Sequence, residues 1–99
     1  MNILLVCSAG MSTSLLVARM LEASKKMGLD LKIEARPVAE VNMYGDEADA
    51  ILLGPQVRFQ LKTIQASYPD KVVETIDARD YGMMNGEKVL NHVIEALKK

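Results

Sequence analysis

The only cysteine of this chain, Cys7, opens a run of residues suited to one kind of chemistry: Cys7-Ser8-Ala9-Gly10-Met11-Ser12-Thr13-Ser14. A short apolar run, Asn2 to Val6, leads into it and reads as a buried parallel strand, so the thiol stands at a fixed strand end. Gly10 permits a positive φ, which lets successive N–H groups turn inward. Such a concave row of N–H groups, here from Ser8 to Ser14, is an anion nest. A helix starting near Thr13 adds positive potential at its N-terminus. Ser12, Thr13 and Ser14 can cap that helix and donate hydroxyl hydrogen bonds to oxyanions. The same field favours thiolate over thiol. A thiolate inside a phosphate cradle is a nucleophile toward a phosphoryl group. Cys7 alone would read as a small buried hydrophobe. The strand, the glycine, the three hydroxyls and the helix start together favour a phosphoryl-carrying thiol.

The elements that must position this loop follow from periodicity. A first helix is predicted from about Thr13 to Met27, with Leu16, Met20, Ala23 and Met27 on one face and Val17 and Leu21 widening it. Gly28 sits where a helix-terminating glycine belongs. Asp30 to Ala35 alternates as a second strand. Pro37 then opens a short helix, which Gly45 to Asp49 breaks. Ala50 to Leu53 is a third strand, closed by Gly54-Pro55. A third helix follows over Gln56 to Ser67, ended by Tyr68-Pro69-Asp70. Lys71 to Ile76 is a fourth strand, Asp77 to Gly86 is irregular, and Glu87 to Lys98 is the last helix. Its inner face carries Val89, Leu90, Val93, Ile94 and Leu97. Strands alternating with helices through short links predict an α/β fold: a four-stranded parallel sheet with helices on both faces, an open three-layer sandwich. Ligands of such sheets bind beyond the carboxyl ends of the strands. Three loops should meet there: Cys7 to Thr13, Gly54 to Gln56, and Asp77 to Gly86.

Composition removes other classes. The 99 residues are expected to form one domain, 1–99, around one core. A formal net charge of −1, without a block of like charges, gives no footprint for nucleic acid. No run of ~18 apolar residues exists to span a bilayer. The apolar start lacks the basic residue and length of a secretory signal. One cysteine makes no internal disulfide, which fits a reducing cytoplasm. A redox role lacks a second, resolving cysteine. No nucleotide-binding Gly-x-x-x-x-Gly-Lys-Ser/Thr or Gly-x-Gly-x-x-Gly is present. One cysteine and one histidine make no zinc site, so no metal or cofactor is expected. His92 falls on the outer side of the last helix and reads as solvated.

Cys7 to Ser14 resembles the phosphocysteine loop of the IIB component of the bacterial sugar phosphotransferase system, in its lactose/cellobiose/chitobiose branch. The resemblance continues through Leu52-Leu53-Gly54-Pro55-Gln56, Ile76-Asp77 and Asp80-Tyr81-Gly82, and so covers nearly the whole chain. It implies that Cys7 accepts phosphate from a phosphohistidine on a IIA protein. It also implies delivery to a sugar held by the membrane permease, IIC, with cellobiose, chitobiose or a related β-linked disaccharide as the sugar.

Two rivals remain at this point. The loop also resembles that of low-molecular-weight tyrosine phosphatases, which need Cys-x5-Arg; here the arginine position holds Thr13. Arginine supplies bidentate charge-assisted bonds to a transferring phosphoryl group. Asp80 follows the fourth strand and could mimic the phosphatase acid, although a solvated loop charge is its default reading. The second rival is a regulatory or anion-binding domain without turnover. Met11, Met83 and Met84 fall on loops at the same sheet edge. Methionine suits surfaces that accept more than one partner, so these three are candidates for a docking surface. Met83 and Met84 could equally fold under their loop.

Overall fold

Residues 1–8 and 14–98 are described in a computed structural model of the chain. Four strands form one parallel sheet: β1 (Asn2–Cys7), β2 (Lys32–Pro37), β3 (Ala50–Leu53) and β4 (Val72–Thr75). Their order across the sheet is β2-β1-β3-β4. The helices are α1 (Ser14–Lys26), α2 (Val41–Tyr44), α3 (Leu61–Ser67), α4 (Ala78–Gly82) and α5 (Gly86–Leu97). Three 3-10 turns, Val38–Glu40, Gly45–Glu47 and Pro55–Gln60, complete the connections.

Alternation along β1 divides the core into two halves. Ile3 and Leu5 pack with Leu16 and Met20 of α1 and with Val89, Leu90 and Val93 of α5. Leu4 and Val6 point the other way, into a cluster with Val41, Val57, Ile64 and Tyr68. Successive strand side chains face opposite sides, so an unbroken apolar strand requires cover on both, and the three expected layers result. α1 and α5 approach closely at Gly86, where a β-carbon would stand 2.5 Å from the Arg19 carbonyl carbon and the Met20 nitrogen.

Several boundaries differ from expectation for local reasons. β2 runs to Pro37, which lies opposite Cys7 with φ −60° and ψ 145°. Proline is tolerated there because β2 is an edge strand, and the helical turns begin one residue later. α2 ends at Tyr44, just before Gly45 as expected, and a 3-10 turn runs on to Glu47. Gly45 is needed for room, since a β-carbon there would run into the Tyr68 ring. The third helix is split by Val57 (φ −115°, ψ 20°), leaving a 3-10 segment ahead of α3. Gly28 terminates α1 with φ +71°, as its position predicts. Met27 leaves the core face, because α1 ends at Lys26; it is 43% exposed.

The segment Asp77 to Gly86 is not irregular. The Asp77 carboxylate accepts hydrogen bonds from the Arg79 and Asp80 N–H groups at 2.9 and 3.1 Å and caps α4. Asn85 then caps α5 by accepting from the Lys88 N–H at 3.1 Å. Each side chain satisfies donors that the first turn of a helix leaves without partners. Sequence periodicity missed α4 because five residues are too few to show a period.

Candidate functional site at the carboxyl edge of the sheet

Strand order reverses direction at β1. The chain moves to β2 on one side and returns to β3 on the other, and a topological switch point opens between the ends of β1 and β3. Cys7 is the last residue of β1 and stands there. Its side chain is fully buried, while Ser8 beside it is exposed. The thiol therefore lies just beneath the surface, where the chain emerges. Ser14, the first residue of α1, is exposed. Ala9, Gly10, Met11, Ser12 and Thr13, the central residues of the expected nest, lie outside the described residues.

The loop after β3 closes on Cys7. The Gly54 N–H donates to the Val6 carbonyl at 2.8 Å, carrying the sheet pairing one residue further. A β-carbon on Gly54 would stand 2.6 Å from Gln56 Oε1 and 3.4 Å from the Cys7 β-carbon. Gly54 has an ordinary φ of −61°, so its place here depends on space and not on conformation: a side chain would displace the Gln56 amide. Gln56 Nε2 donates to the Tyr81 hydroxyl at 3.1 Å and joins the loop after β3 to α4. The structure thus brings Cys7, Gly54 and Gln56 together, with Tyr81 tied in through Gln56. Sequence reasoning assigned no role to Gln56 or Tyr81. The signal available was their presence in Gly54-Pro55-Gln56 and Asp80-Tyr81-Gly82, each at a loop of the expected edge.

Asp80 is not a solvated loop charge. It belongs to α4, its side chain is only 16% exposed, and it lies 3.7 Å from the Lys88 ammonium. It lines a cavity of about 280 Å³ with Glu74, Asp77 and His92, and Cys7 is not part of that wall. His92 is largely exposed, as expected, with Nε2 2.8 Å from Glu74 Oε1. Met83 is 68% exposed, whereas Met84 packs against the core with a positive φ of 53°. The two methionines therefore divide between the surface and the interior.

Arg36, opposite Val6, holds its guanidinium 4.3 Å from the Tyr44 ring centroid and its Nε 3.7 Å from Glu34 Oε2. Among the described residues, no group of three or more histidine, cysteine or acidic side chains is placed to hold a metal ion. No described helix is long and apolar enough to cross a membrane.

A family model described as "PTS system, Lactose/Cellobiose specific IIB subunit" matches residues 2–92. The chain is 42% identical over 95 residues to the galactose-specific EIIB component of a Lactococcus lactis phosphotransferase system, covering 89% of this chain and 88% of that protein. It is 38% identical over 98 residues to the oligo-beta-mannoside-specific EIIB component of Bacillus subtilis, covering 97% and 95%. The solution structure of a cellobiose-specific phosphotransferase IIB component from Borrelia burgdorferi superposes with a TM-score of 0.81 at 44% identity, over 99% of this chain and 92% of that one. A low-molecular-weight protein tyrosine phosphatase from Bacillus subtilis shares the fold alone, with a TM-score of 0.67 at 15% identity, over 99% of this chain and 97% of that one.

Proposed function

Since the chain belongs to the lactose/cellobiose-specific IIB subunits of the sugar phosphotransferase system, we propose that Cys7 is the residue that carries the phosphoryl group. IIB components are phosphotransferases that work with a IIA protein and the IIC membrane permease. In the proposed cycle the Cys7 thiolate attacks the phosphorus of a IIA phosphohistidine. The S–P bond forms, the N–P bond breaks, and the released imidazole takes up a proton. A hydroxyl oxygen of the sugar held by IIC then attacks the same phosphorus. The S–P bond breaks, the thiolate returns, and the hydroxyl proton is lost to a base. Ser8 to Ser14 would supply the N–H and hydroxyl donors around the phosphoryl oxygens. Residues 1–99 would act as one cytoplasmic carrier module.

The observation that carries this reading is the place of Cys7, the single cysteine, at the switch point of the sheet, one residue before the chain reaches the surface. For the sugar we propose a β-linked disaccharide or related oligosaccharide of the cellobiose type. Cellobiose and oligo-beta-mannoside stand in the names of two relatives and galactose in that of a third, which supports a permease that chooses the sugar and a carrier that does not. Met83, and with it Met11, would form part of the surface on which IIA and IIC dock in turn.

Incubation with a phosphohistidine-loaded IIA protein tests the assignment. Wild type should accept one phosphoryl group, and Cys7→Ser should accept none while keeping its circular dichroism spectrum. Equal uptake by the serine variant would remove Cys7 from the reaction.

A further inference from the structure

We propose that Gln56 and Tyr81 act as a coupled pair of positioning residues for phosphorylated Cys7. The inference rests on the reading of Cys7 as the carrier and adds two residues to its machinery.

The argument begins with space. Gln56 Oε1 and the Cys7 β-carbon both lie within 3.4 Å of the point where a Gly54 β-carbon would stand. The Gln56 amide and the cysteine side chain thus both border the space that Gly54 leaves open. Gln56 itself is exposed, and a free glutamine side chain at a rim would sample many rotamers, with an entropy cost for each ordered geometry. The hydrogen bond from its Nε2 to the Tyr81 hydroxyl, 3.1 Å long, selects one of them. Tyr81 is a firm anchor, since its side chain is buried and packs in the core beside Leu52 and Leu90. The pair also spans 25 residues of chain and ties the loop after β3, the strand beside β1, to α4, which follows β4.

The chemistry suits a carrier. The groups that meet at the space beside Cys7 are an uncharged amide and, tied to it, a phenol. Neutral hydrogen-bonding groups can orient a dianionic phosphocysteine. They stabilise the charge that develops during attack by water much less than a guanidinium does.

The test uses the full chain and a phosphohistidine-loaded IIA protein as donor. Tyr81→Phe, Gln56→Leu and the double variant are compared with wild type, with Cys7→Ser alongside. Each single change should slow phosphoryl transfer roughly three- to tenfold, the worth of one net hydrogen bond. The double variant should be no slower than the slower single one, because the two act as a unit. The ³¹P resonance of the phosphocysteine should move in both single variants, a change that general loosening of the fold would not produce without a fall in thermal midpoint. Gln56→Leu alters an exposed position, so it keeps the test open should Tyr81→Phe fold poorly. An unmoved ³¹P resonance with unchanged rates, or rate losses that multiply in the double variant, would overturn the pairing and leave Cys7 as carrier. Failure of wild type to take up phosphate, or equal uptake by Cys7→Ser, would overturn the carrier reading and the pairing with it.

Discussion

In the proposed reading, Thr13 is the residue that separates a carrier from a hydrolase on this fold. A phosphatase places arginine at that spacing, and loss of one strong oxyanion donor costs about 10²–10³ in rate. Wild type should therefore turn over aryl phosphates negligibly, as measured by release of a chromogenic phenol. Thr13→Arg should speed hydrolysis of the phosphocysteine, read as its half-life after loading, provided that the cradle admits the larger side chain. Robust aryl phosphate turnover that disappears in Cys7→Ser would favour the phosphatase. The Asp80 carboxylate lies 3.7 Å from the Lys88 ammonium and lines a cavity whose wall does not include Cys7; Asp80→Asn should leave transfer unchanged within twofold. At this scale the sequence was informative about Cys7, which the apolar run before it set at the end of a buried strand. It was silent on Gln56 and Tyr81, since their partnership depends on a contact 25 residues apart that no local pattern encodes.

The close contact of α1 with α5 makes a prediction at the scale of elements. Replacing glycine by alanine in a helix ordinarily stabilises by about 0.5–1 kcal/mol. At Gly86 the sign should reverse. The atoms 2.5 Å from the new β-carbon belong to the α1 backbone and cannot turn aside. Gly86→Ala should cost about 1–3 kcal/mol, as overpacking does, and lower the thermal midpoint by about 4 °C or more. A midpoint equal to or above wild type would show that the helices can separate without loss. The strands and long helices were legible because each repeats its pattern over enough residues to fix a period. α4 was not, although its Asp77 cap was present in the sequence. The boundary at Pro37 moved because a tertiary partner, the edge pairing of β2 with β1, decided it.

For the molecule as a whole, the order β2-β1-β3-β4 matters most, because it puts the single cysteine at the switch point of the sheet. Of the two neighbouring methionines, Met83 is exposed and Met84 is packed. Titration with a IIA donor should shift the Met83 methyl resonance and leave that of Met84 nearly still; movement of Met84 alone would contradict a docking role for this corner. The opposite face has a pH limit of its own. Burial, and secondarily the Asp46 carboxylate, raise the pKa of the Tyr68 phenol above its ordinary value, and its O–H donates to the Val41 carbonyl at 3.3 Å. The folded state therefore holds this proton more tightly than the unfolded chain. The associated stability is complete below about pH 10, the unfolded value, and is lost as pH rises from there through the folded value. Denaturant midpoints should fall across that alkaline range, and Tyr68→Phe should flatten the fall while lowering stability at neutral pH by about 1 kcal/mol.

The central claim is that one phosphoryl group travels on Cys7. Mass spectrometry of the intact protein after exposure to phosphohistidine-loaded IIA, followed by fragmentation to locate the label, tests it most directly. The prediction is a single added phosphoryl group on the peptide that contains Cys7, discharged when a IIC permease and its sugar are supplied. A label on the peptide that contains His92, or a wild-type protein that stays unlabelled while its donor remains charged, would contradict it.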